Sequence, residues 1–238
     1  MRYFIEFAYK GTSYHGSQVQ PNGITVQAVM QDAIATILRT PVALTFAGRT
    51  DAGVHAEQMF AHMDIDAEPP TPERLNRILP ADIAVYRIFP VADDLHARFS
   101  AVSRTYEYRI STRKSPFAHD TRTYMPVHLD YSAMNEAAKL LLGTHDFASF
   151  CKVHTDVKTT ICTVTEAYWQ QGETEAVFTI TADRFLRNMV RAVVGTLFEV
   201  GRHRLSIEAF AEVISSCSRQ AAGQSAPPEG LFLTAIRY

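Results

Sequence analysis

Apolar residues along the first ninety positions switch between strand-like and helix-like spacing. Residues 2–9 are mostly apolar and aromatic, which predicts a strand. Thr25 is a typical helix N-cap, and the apolar residues after it recur at helical spacing: Val26, Val29, Met30, Ala33, Ile34, Ile37 and Leu38. Strands are predicted at 42–47 and 57–65, a short helix begins near Pro72, and another strand covers 83–89. The predicted order is β-α-β-β-α-β.

A second, similar series begins at Arg104, because residues 104–110 alternate as a strand does. Asp130 predicts the N-cap of a helix that Gly143 ends in the C′ position. The apolar face of that helix is Met134, Ala137, Ala138, Leu141 and Leu142. The remaining predicted elements are strands at 160–169 and 175–182, a long helix at 184–200, a helix after Ser206 and a closing strand at 231–238.

Two series with similar orders of elements predict two ferredoxin-like α/β units related by pseudo-symmetry. The expected fold class is α/β (α+β) with a mixed or antiparallel sheet. The boundary between the units is expected within 90–103. We divide the chain into an N-terminal domain of residues 1–97, which carries the loop described below, and a C-terminal domain of residues 98–238.

Composition is that of an ordinary globular protein, with 47% hydrophobic and 20% charged residues. The aromatic first residues do not resemble a signal peptide, and no apolar run approaches the roughly 18 residues of a membrane span. A cytoplasmic protein without membrane contact is therefore expected. Cys151, Cys162 and Cys217 are odd in number and lack C-x-x-C spacing, so they are expected to be reduced.

Basic residues are concentrated in two segments, although the formal net charge is only -2. The segment 96–114 carries Arg98, Arg104, Arg109, Arg113 and Lys114 against Glu107, and the segment 184–204 carries five arginines against Glu199. Arg184, Arg187 and Arg191 lie at i, i+3 and i+7 and are expected on one stripe of the predicted long helix. Such clusters either remain solvated or bind an anion such as RNA phosphate.

Chemically active residue types are densest in the run 47–55, which follows a strand-like segment. It contains Arg49, Asp51 and His55 together with Gly48 and Gly53. The glycines allow a sharp backbone excursion and close approach of a ligand. Asp51 then has two interpretations: an aimed, ionised catalytic carboxylate, or a residue that only satisfies a turn or helix cap.

Other chemistries have weaker support in the sequence. Two sets of side chains have metal-ligand chemistry, but neither has the spacing of a strong metal motif: Asp51, His55, His62 and Asp64, and also His145, Cys151, His154 and Cys162. No G-x-S-x-G element, Walker loop or dinucleotide fingerprint is present. Neither a metal nor a cofactor is therefore expected.

The run Gly48-Arg49-Thr50-Asp51-Ala52-Gly53-Val54-His55 resembles the signature loop of the tRNA pseudouridine synthase A family. Further matches occur in order along essentially the whole chain: Tyr14-His15-Gly16, Thr25-Val26-Gln27, His96-Ala97-Arg98-Phe99-Ser100-Ala101, Tyr106, Gly143-Thr144-His145-Asp146-Phe147, Phe185-Leu186-Arg187-Asn188-Met189-Val190-Arg191 and Glu229-Gly230-Leu231. Two positions depart from the pattern: Ser17 stands where tryptophan is expected and Glu57 where glycine is expected.

The resemblance implies a pseudouridine synthase fold and isomerisation of uridine to pseudouridine at positions 38–40 of the tRNA anticodon stem-loop, without cofactor or metal. Asp51 matches the nucleophile, which adds to the sugar or to the base ring. Arg191 matches a basic partner that holds this carboxylate ionised, and Arg49 an arginine that braces the extruded nucleotide through its phosphates. Tyr106 matches an active-site tyrosine that stacks on the flipped base or helps to remove the C5 proton. A homodimer is also implied.

Phe185 and Leu186 are expected to wall the pocket and exclude water. Further RNA contacts are expected from a set of basic side chains: His15, His55, Arg98, Arg104, Arg184 and Arg187. For His15 and His55 a structural role is the alternative, and Tyr108 is expected in the core. Two rival functions remain: a noncatalytic RNA-binding protein on the same scaffold, and a metal-dependent hydrolase built on Asp51, His55 and His62.

Overall fold

The computed structural model describes residues 1–152 and 158–238, which form two compact units. Unit 1 comprises Met1–Val102 and Phe232–Tyr238, and unit 2 comprises Ser103–Leu231. The change of unit lies five residues after the division at residue 97 that the sequence suggested, and the last strand, apart from its first residue Leu231, belongs to unit 1. None of the helices in the described residues has the length and apolar character that a bilayer crossing requires.

Strands and helices occur in both units, which confirms the predicted α/β class. The strands are β1 (Arg2–Tyr9), β2 (Thr45–Phe46), β3 (His55–Asp64), β4 (Ile83–Val91), β5 (Ser103–Ser111), β6 (Thr123–Tyr124), β7 (Gly143–Asp146), β8 (Ile161–Gln171), β9 (Glu175–Ala182) and β10 (Leu231–Arg237). The helices are α1 (Val26–Leu38), α2 (Pro72–Asn76), α3 (Tyr131–Lys139), α4 (Met189–Gly201) and α5 (Ile207–Ser215).

Unit 1 contains the strand order β4-β1-β3-β10, and β2 pairs with β3. β1 is antiparallel to β3 and to β4, whereas β10 runs parallel to β3. Thr25 caps α1 by accepting the N–H of Ala28, and α1 buries Val26, Met30 and Ile34. The long strand β3 begins directly after the 47–54 loop, so the loop is carried by the centre of this sheet.

Unit 2 contains the antiparallel order β5-β9-β8-β7, with β6 parallel to β5. α3 packs against α4 and β8. Asp130 caps α3 by accepting the N–H of Ala133, as predicted. Gly143 was expected at the C′ position of this helix, but that expectation is wrong: α3 ends at Lys139, and Gly143 starts β7 with a φ of +97°. The positive φ belongs to the turn into the strand.

α4 begins at Met189 rather than at residue 184, so the predicted arginine stripe on one helix is wrong. The Asp183 carboxylate accepts the backbone N–H groups of Thr163 and Arg184, which ties the chain after β9 to β8. Asn188 precedes the helix with a φ of +65°. Of the three arginines, only Arg191 is helical, because a local carboxylate bond outweighs the apolar periodicity of 184–188.

Candidate active site

Asp51 opens a tight turn in the loop between β2 and β3. The Val54 N–H donates to the Asp51 carbonyl over 3.2 Å, and Gly53 has a φ of +79°. Ala52, which precedes it, has no positive φ, so Asp51–Val54 form a type II turn, which requires a left-handed residue at its third position. Asp51 is half-buried at the first position of this turn. Its backbone is therefore fixed locally and its side chain keeps access to solvent.

Thr50 anchors the loop by three hydrogen bonds. Its N–H donates to Ser17 Oγ over 2.9 Å, and its carbonyl accepts the Ser17 N–H over 3.2 Å. Its Oγ1 shares a hydrogen bond of 2.8 Å with the Tyr9 hydroxyl. We call Tyr9, Ser17 and Thr50 the Thr50 clamp. Thr50 is bonded directly to Asp51, so the clamp fixes the residue that precedes the predicted nucleophile.

Gly16 allows the segment before α1 to approach this loop closely. Its φ is +91°, and a Cβ on it would lie 2.8 Å from the Thr50 carbonyl oxygen. A side chain at this position would therefore displace Thr50 or the segment itself. Gly16 was part of the sequence resemblance, but no spacing in the chain indicated that it touches the loop.

Gly48 has open space around it, since a Cβ built there would meet nothing within 4 Å. Neither backbone strain nor crowding by the described residues therefore demands glycine at this position. Arg49 follows it and is exposed. The open space beside Arg49 is compatible with the predicted close approach of a ligand.

The two departures from the family pattern lie in different environments. Ser17 is fully buried and belongs to the Thr50 clamp. Glu57 is exposed on β3. Ser17 is thus a structural contact of the loop, and sequence reasoning missed this role because 33 residues separate it from Thr50.

His55 has a structural environment. It is 1% exposed, its Nδ1 accepts the Gly11 N–H over 3.0 Å, and its ring stacks on Phe232 at 4.5 Å between centroids. Of its two predicted roles, this environment favours the structural one. His15, in contrast, is exposed, and its backbone N–H donates to the Ile24 carbonyl.

His62 lies on β3, and its Nδ1 accepts the Ala97 N–H over 3.1 Å. Burial, reinforced by the charges of Arg2 and His96, lowers its pKa to about 4. Within residues 1–152 and 158–238, no three His, Cys, Asp or Glu side chains are grouped so that they could hold a metal ion. His154, one member of the second set of metal-ligand residues, lies outside the described residues.

Tyr106 and Phe185 come together in unit 2. Tyr106 lies on β5 with 8% of its surface exposed, and the half-buried Phe185 ring meets it edge-on at 5.0 Å between centroids. Leu186 is 5% exposed. Edge-to-face contact is a favourable arrangement of aromatic rings and favours the observed orientation of each ring. Tyr106 and Phe185 were predicted separately, as a base platform and a pocket wall, and the structure places them in contact.

Arg191 lies in the first turn of α4 and is oriented by a loop before β10. Its Nε donates to the Ala226 carbonyl over 2.7 Å, and its own carbonyl accepts the Ala226 N–H over 2.8 Å. Asn188 Nδ2 donates to Ser225 Oγ over 2.6 Å. The Nε bond orients the guanidinium, and the other two bonds hold residues 225–226 against the start of α4. The role of residues 225–226 was not detectable from the sequence, because both are small and carry no motif.

Tyr108, two residues beyond Tyr106, is a core residue, as predicted. It has no exposed surface, and its hydroxyl bonds with Thr123 Oγ1 at 2.6 Å and donates to the Pro227 carbonyl. Burial raises the pKa of this hydroxyl well above its usual value. The alternation of β5 therefore places Tyr106 and Tyr108 on the same face but in different surroundings.

The arginines predicted to contact RNA are at least partly exposed. Arg98 and Arg187 are exposed, and Arg184 and Arg104 are half-buried. The Arg98 guanidinium lies over the Phe99 ring at 5.6 Å, and Arg104 Nη1 donates to the Asp183 carbonyl over 2.9 Å.

Asp51 belongs to unit 1, whereas Tyr106, Phe185, Leu186 and Arg191 belong to unit 2. The pairing of Asp51 with Arg191 therefore stays a prediction.

Comparisons with known proteins agree with the resemblance. The sequence model of one protein family, described as tRNA pseudouridine synthase, matches residues 137–238. The chain is 53% identical over 242 residues to a tRNA pseudouridine synthase A from Parabacteroides distasonis, with 100% of this chain and 96% of that protein covered. A protein of the same name from Bacteroides fragilis is also 53% identical, with the same coverage. One from Halalkalibacterium halodurans is 40% identical, over 96% of this chain and 89% of that protein.

Proposed function

Because this chain belongs to the tRNA pseudouridine synthase A family, we propose that it isomerises uridine to pseudouridine in tRNA with Asp51 as the nucleophile. The observation that carries the assignment to Asp51 is the loop geometry: a half-buried carboxylate at the first position of a type II turn, directly after a residue held by three hydrogen bonds. A carboxylate that reacts covalently must be aimed before the substrate arrives.

The reaction exchanges one bond to the sugar for another. The bond between C1′ and N1 of uracil breaks, and a bond between C1′ and C5 forms. C5 loses its proton and N1 gains one, so the reaction is an isomerisation without oxidant or reductant. The Asp51 carboxylate adds to C1′ or to the base ring, the uracil turns within the pocket, and the carboxylate leaves when the carbon bond has formed.

Unit 2 supplies the groups that we propose to contact the extruded nucleotide. Tyr106, in edge-on contact with Phe185, serves as a stacking platform for the base and offers a hydroxyl near the C5 proton. Leu186 and Phe185 exclude water that would intercept the intermediate. Arg191, oriented by Ala226, is the cation that stabilises the ionised carboxylate. Arg49 contacts the phosphates of the flipped nucleotide.

The position of the modified uridine follows from the family resemblance, which points to 38–40 in the anticodon stem-loop. We further propose that two copies of the chain form a homodimer that binds tRNA across both subunits. Since tRNA functions in the cytoplasm, that is where we expect the protein to act.

Pseudouridine mapping of unmodified tRNA before and after incubation with the protein tests this proposal. We expect new pseudouridine at 38–40 with the unsubstituted chain and none with Asp51→Ala. Activity that persists in excess EDTA contradicts the metal-dependent hydrolase alternative. Tight tRNA binding without any pseudouridine formation would support the noncatalytic alternative and overturn the proposal.

A further inference from the structure

Ser17 is a buried hydroxyl that the proposed chemistry does not use. It has no exposed surface, and both its backbone N–H and its Oγ bond to the backbone of Thr50. The two bonds point in opposite senses, since Ser17 donates to the Thr50 carbonyl and accepts from the Thr50 N–H. Such a reciprocal pair fixes the peptide plane on either side of Thr50.

Ser17 is itself anchored at the start of α1. The Ser17 carbonyl accepts the Gln27 N–H over 3.0 Å, and the Gly16 carbonyl accepts the Val26 N–H over 3.3 Å. The first N–H groups of a helix have no partner within the helix, so these carbonyls satisfy donors that would otherwise need water. The clamp on Thr50 is therefore attached to a helix rather than to a loose loop.

Tyr9 adds a third attachment from the sheet. It lies on β1 with 4% of its surface exposed, and its hydroxyl bonds to Thr50 Oγ1 over 2.8 Å. Thr50 is thus held through its N–H, its carbonyl and its hydroxyl, by a helix start and a strand of the same unit.

We propose that Ser17 is a positioning residue for the Asp51 carboxylate, acting through Thr50. The inference rests on the proposed function of Asp51. Because one peptide bond joins Thr50 to Asp51, and the Asp51–Val54 turn is closed by its own hydrogen bond, a shift of Thr50 moves the turn and the carboxylate with it. A misplacement of about 1 Å can lower the rate of a reaction about 100-fold.

The sequence resemblance leads us to expect tryptophan at this position, where this chain has Ser17. An indole carries one donor and no acceptor, so it cannot receive the Thr50 N–H. Ser17 Oγ accepts this buried backbone N–H, which belongs to the residue directly before Asp51.

Substitutions at position 17 separate positioning from folding. Ser17→Ala removes the acceptor, whereas Ser17→Cys keeps a similar volume and a weak acceptor. The matched control is Ser149→Ala in unit 2, because Ser149 is also fully buried and its Oγ donates to the Val213 carbonyl over 2.6 Å. The measured quantities are the single-turnover rate of pseudouridine formation, the Kd for tRNA and the Tm.

We expect Ser17→Ala to lower the single-turnover rate about 10- to 100-fold with a Kd near that of the unsubstituted chain. The rate of Ser17→Cys should lie between those of Ser17→Ala and the unsubstituted chain. Ser149→Ala should lower the Tm to a similar extent and leave the rate unchanged. A folded Ser17→Ala protein with an unchanged rate, a loss confined to Kd, or an equal loss of rate in Ser149→Ala would overturn the proposal.

Two further variants cover the cases that Ser17→Ala alone does not resolve. If Ser17→Ala does not fold, Ser17→Cys decides: a reduced rate supports the proposal and an unchanged rate contradicts it. Asp51→Ala in the same assay distinguishes failure of the proposed role of Asp51 from failure of the proposed role of Ser17. If Asp51→Ala retains turnover, the proposed function fails; if Asp51→Ala is inactive while folded position-17 variants are fully active, only the positioning role fails.

Discussion

Acidification should destabilise unit 1 through His62. This side chain is 6% exposed, and its Nδ1 accepts the Ala97 N–H over 3.1 Å, so that nitrogen must keep its lone pair in the folded chain. Burial is the main reason that its pKa falls to about 4. The charges of Arg2 and His96 act in the same direction, while Asp64 opposes them.

The direction in which stability changes with pH follows from how many protons the folded and unfolded chains bind. Between pH 6.5 and pH 4 the unfolded chain binds a proton at His62 that the folded chain does not, so the free energy of unfolding falls as the pH falls. The pKa difference corresponds to about 3 kcal/mol in full, of which about 2 kcal/mol is lost between pH 7 and pH 5. Burial also lowers the pKa of His96, which adds to the loss in the same direction.

Urea unfolding at pH 7 and pH 5 measures this effect. His62→Asn is the informative variant, because its amide oxygen can accept the Ala97 N–H and cannot take up a proton. We expect its loss of stability between these pH values to be smaller than that of the unsubstituted chain by about 2 kcal/mol. His128→Asn, at an exposed position, is the control and should keep the full pH dependence. An equal pH dependence in the His62 variant and the unsubstituted chain would refute the reasoning.

Three other predictions concern the loop, the aromatic pair and RNA binding. Gly16→Ala should lower the free energy of unfolding by about 1–2 kcal/mol, since the φ of Gly16 is +91°. Gly48→Ala, with open space around the new Cβ, should unfold at the same urea concentration as the unsubstituted chain. Equal urea midpoints for Gly16→Ala and Gly48→Ala would contradict this. Tyr106→Phe keeps the ring against Phe185, so tRNA affinity should hold while pseudouridine formation slows by roughly 100-fold; an unchanged rate would exclude the hydroxyl from proton transfer. The logarithm of tRNA affinity should fall linearly with the logarithm of salt concentration, and a flat dependence in filter binding would argue against phosphate contacts.

Much of the fold was predictable from local signals. The N-caps Thr25 and Asp130 marked the starts of α1 and α3, and the order β-α-β-β-α-β of the first series is the order of β1, α1, β2, β3, α2 and β4. Local signals failed where distant bonds decide the structure. α4 starts late because Asp183 ties the preceding residues to Thr163, and residues 123–124 form a strand only through pairing with β5.

In the candidate active site, too, the local features were predictable from the sequence and the long-range contacts were not. The glycine spacing around Asp51 indicated a turn, and Asp51 opens one. The contacts that hold this turn come from Tyr9 and Ser17, which are separated from Thr50 by 41 and 33 residues. No periodicity links positions so far apart, and Ser17 was visible in the sequence only as a departure from the family pattern. Likewise, nothing in the sequence indicated that Ala226 orients Arg191.

The role of Asp51 is tested most directly by a single-turnover assay of Asp51→Asn with unmodified tRNA under conditions in which all tRNA is bound. Asparagine keeps the size of the side chain and its hydrogen-bonding oxygen but removes the negative charge that the addition requires. We expect no pseudouridine over a period in which the unsubstituted chain converts all of its bound tRNA, with tRNA affinity retained. Conversion by Asp51→Asn at a rate near that of the unsubstituted chain would contradict it.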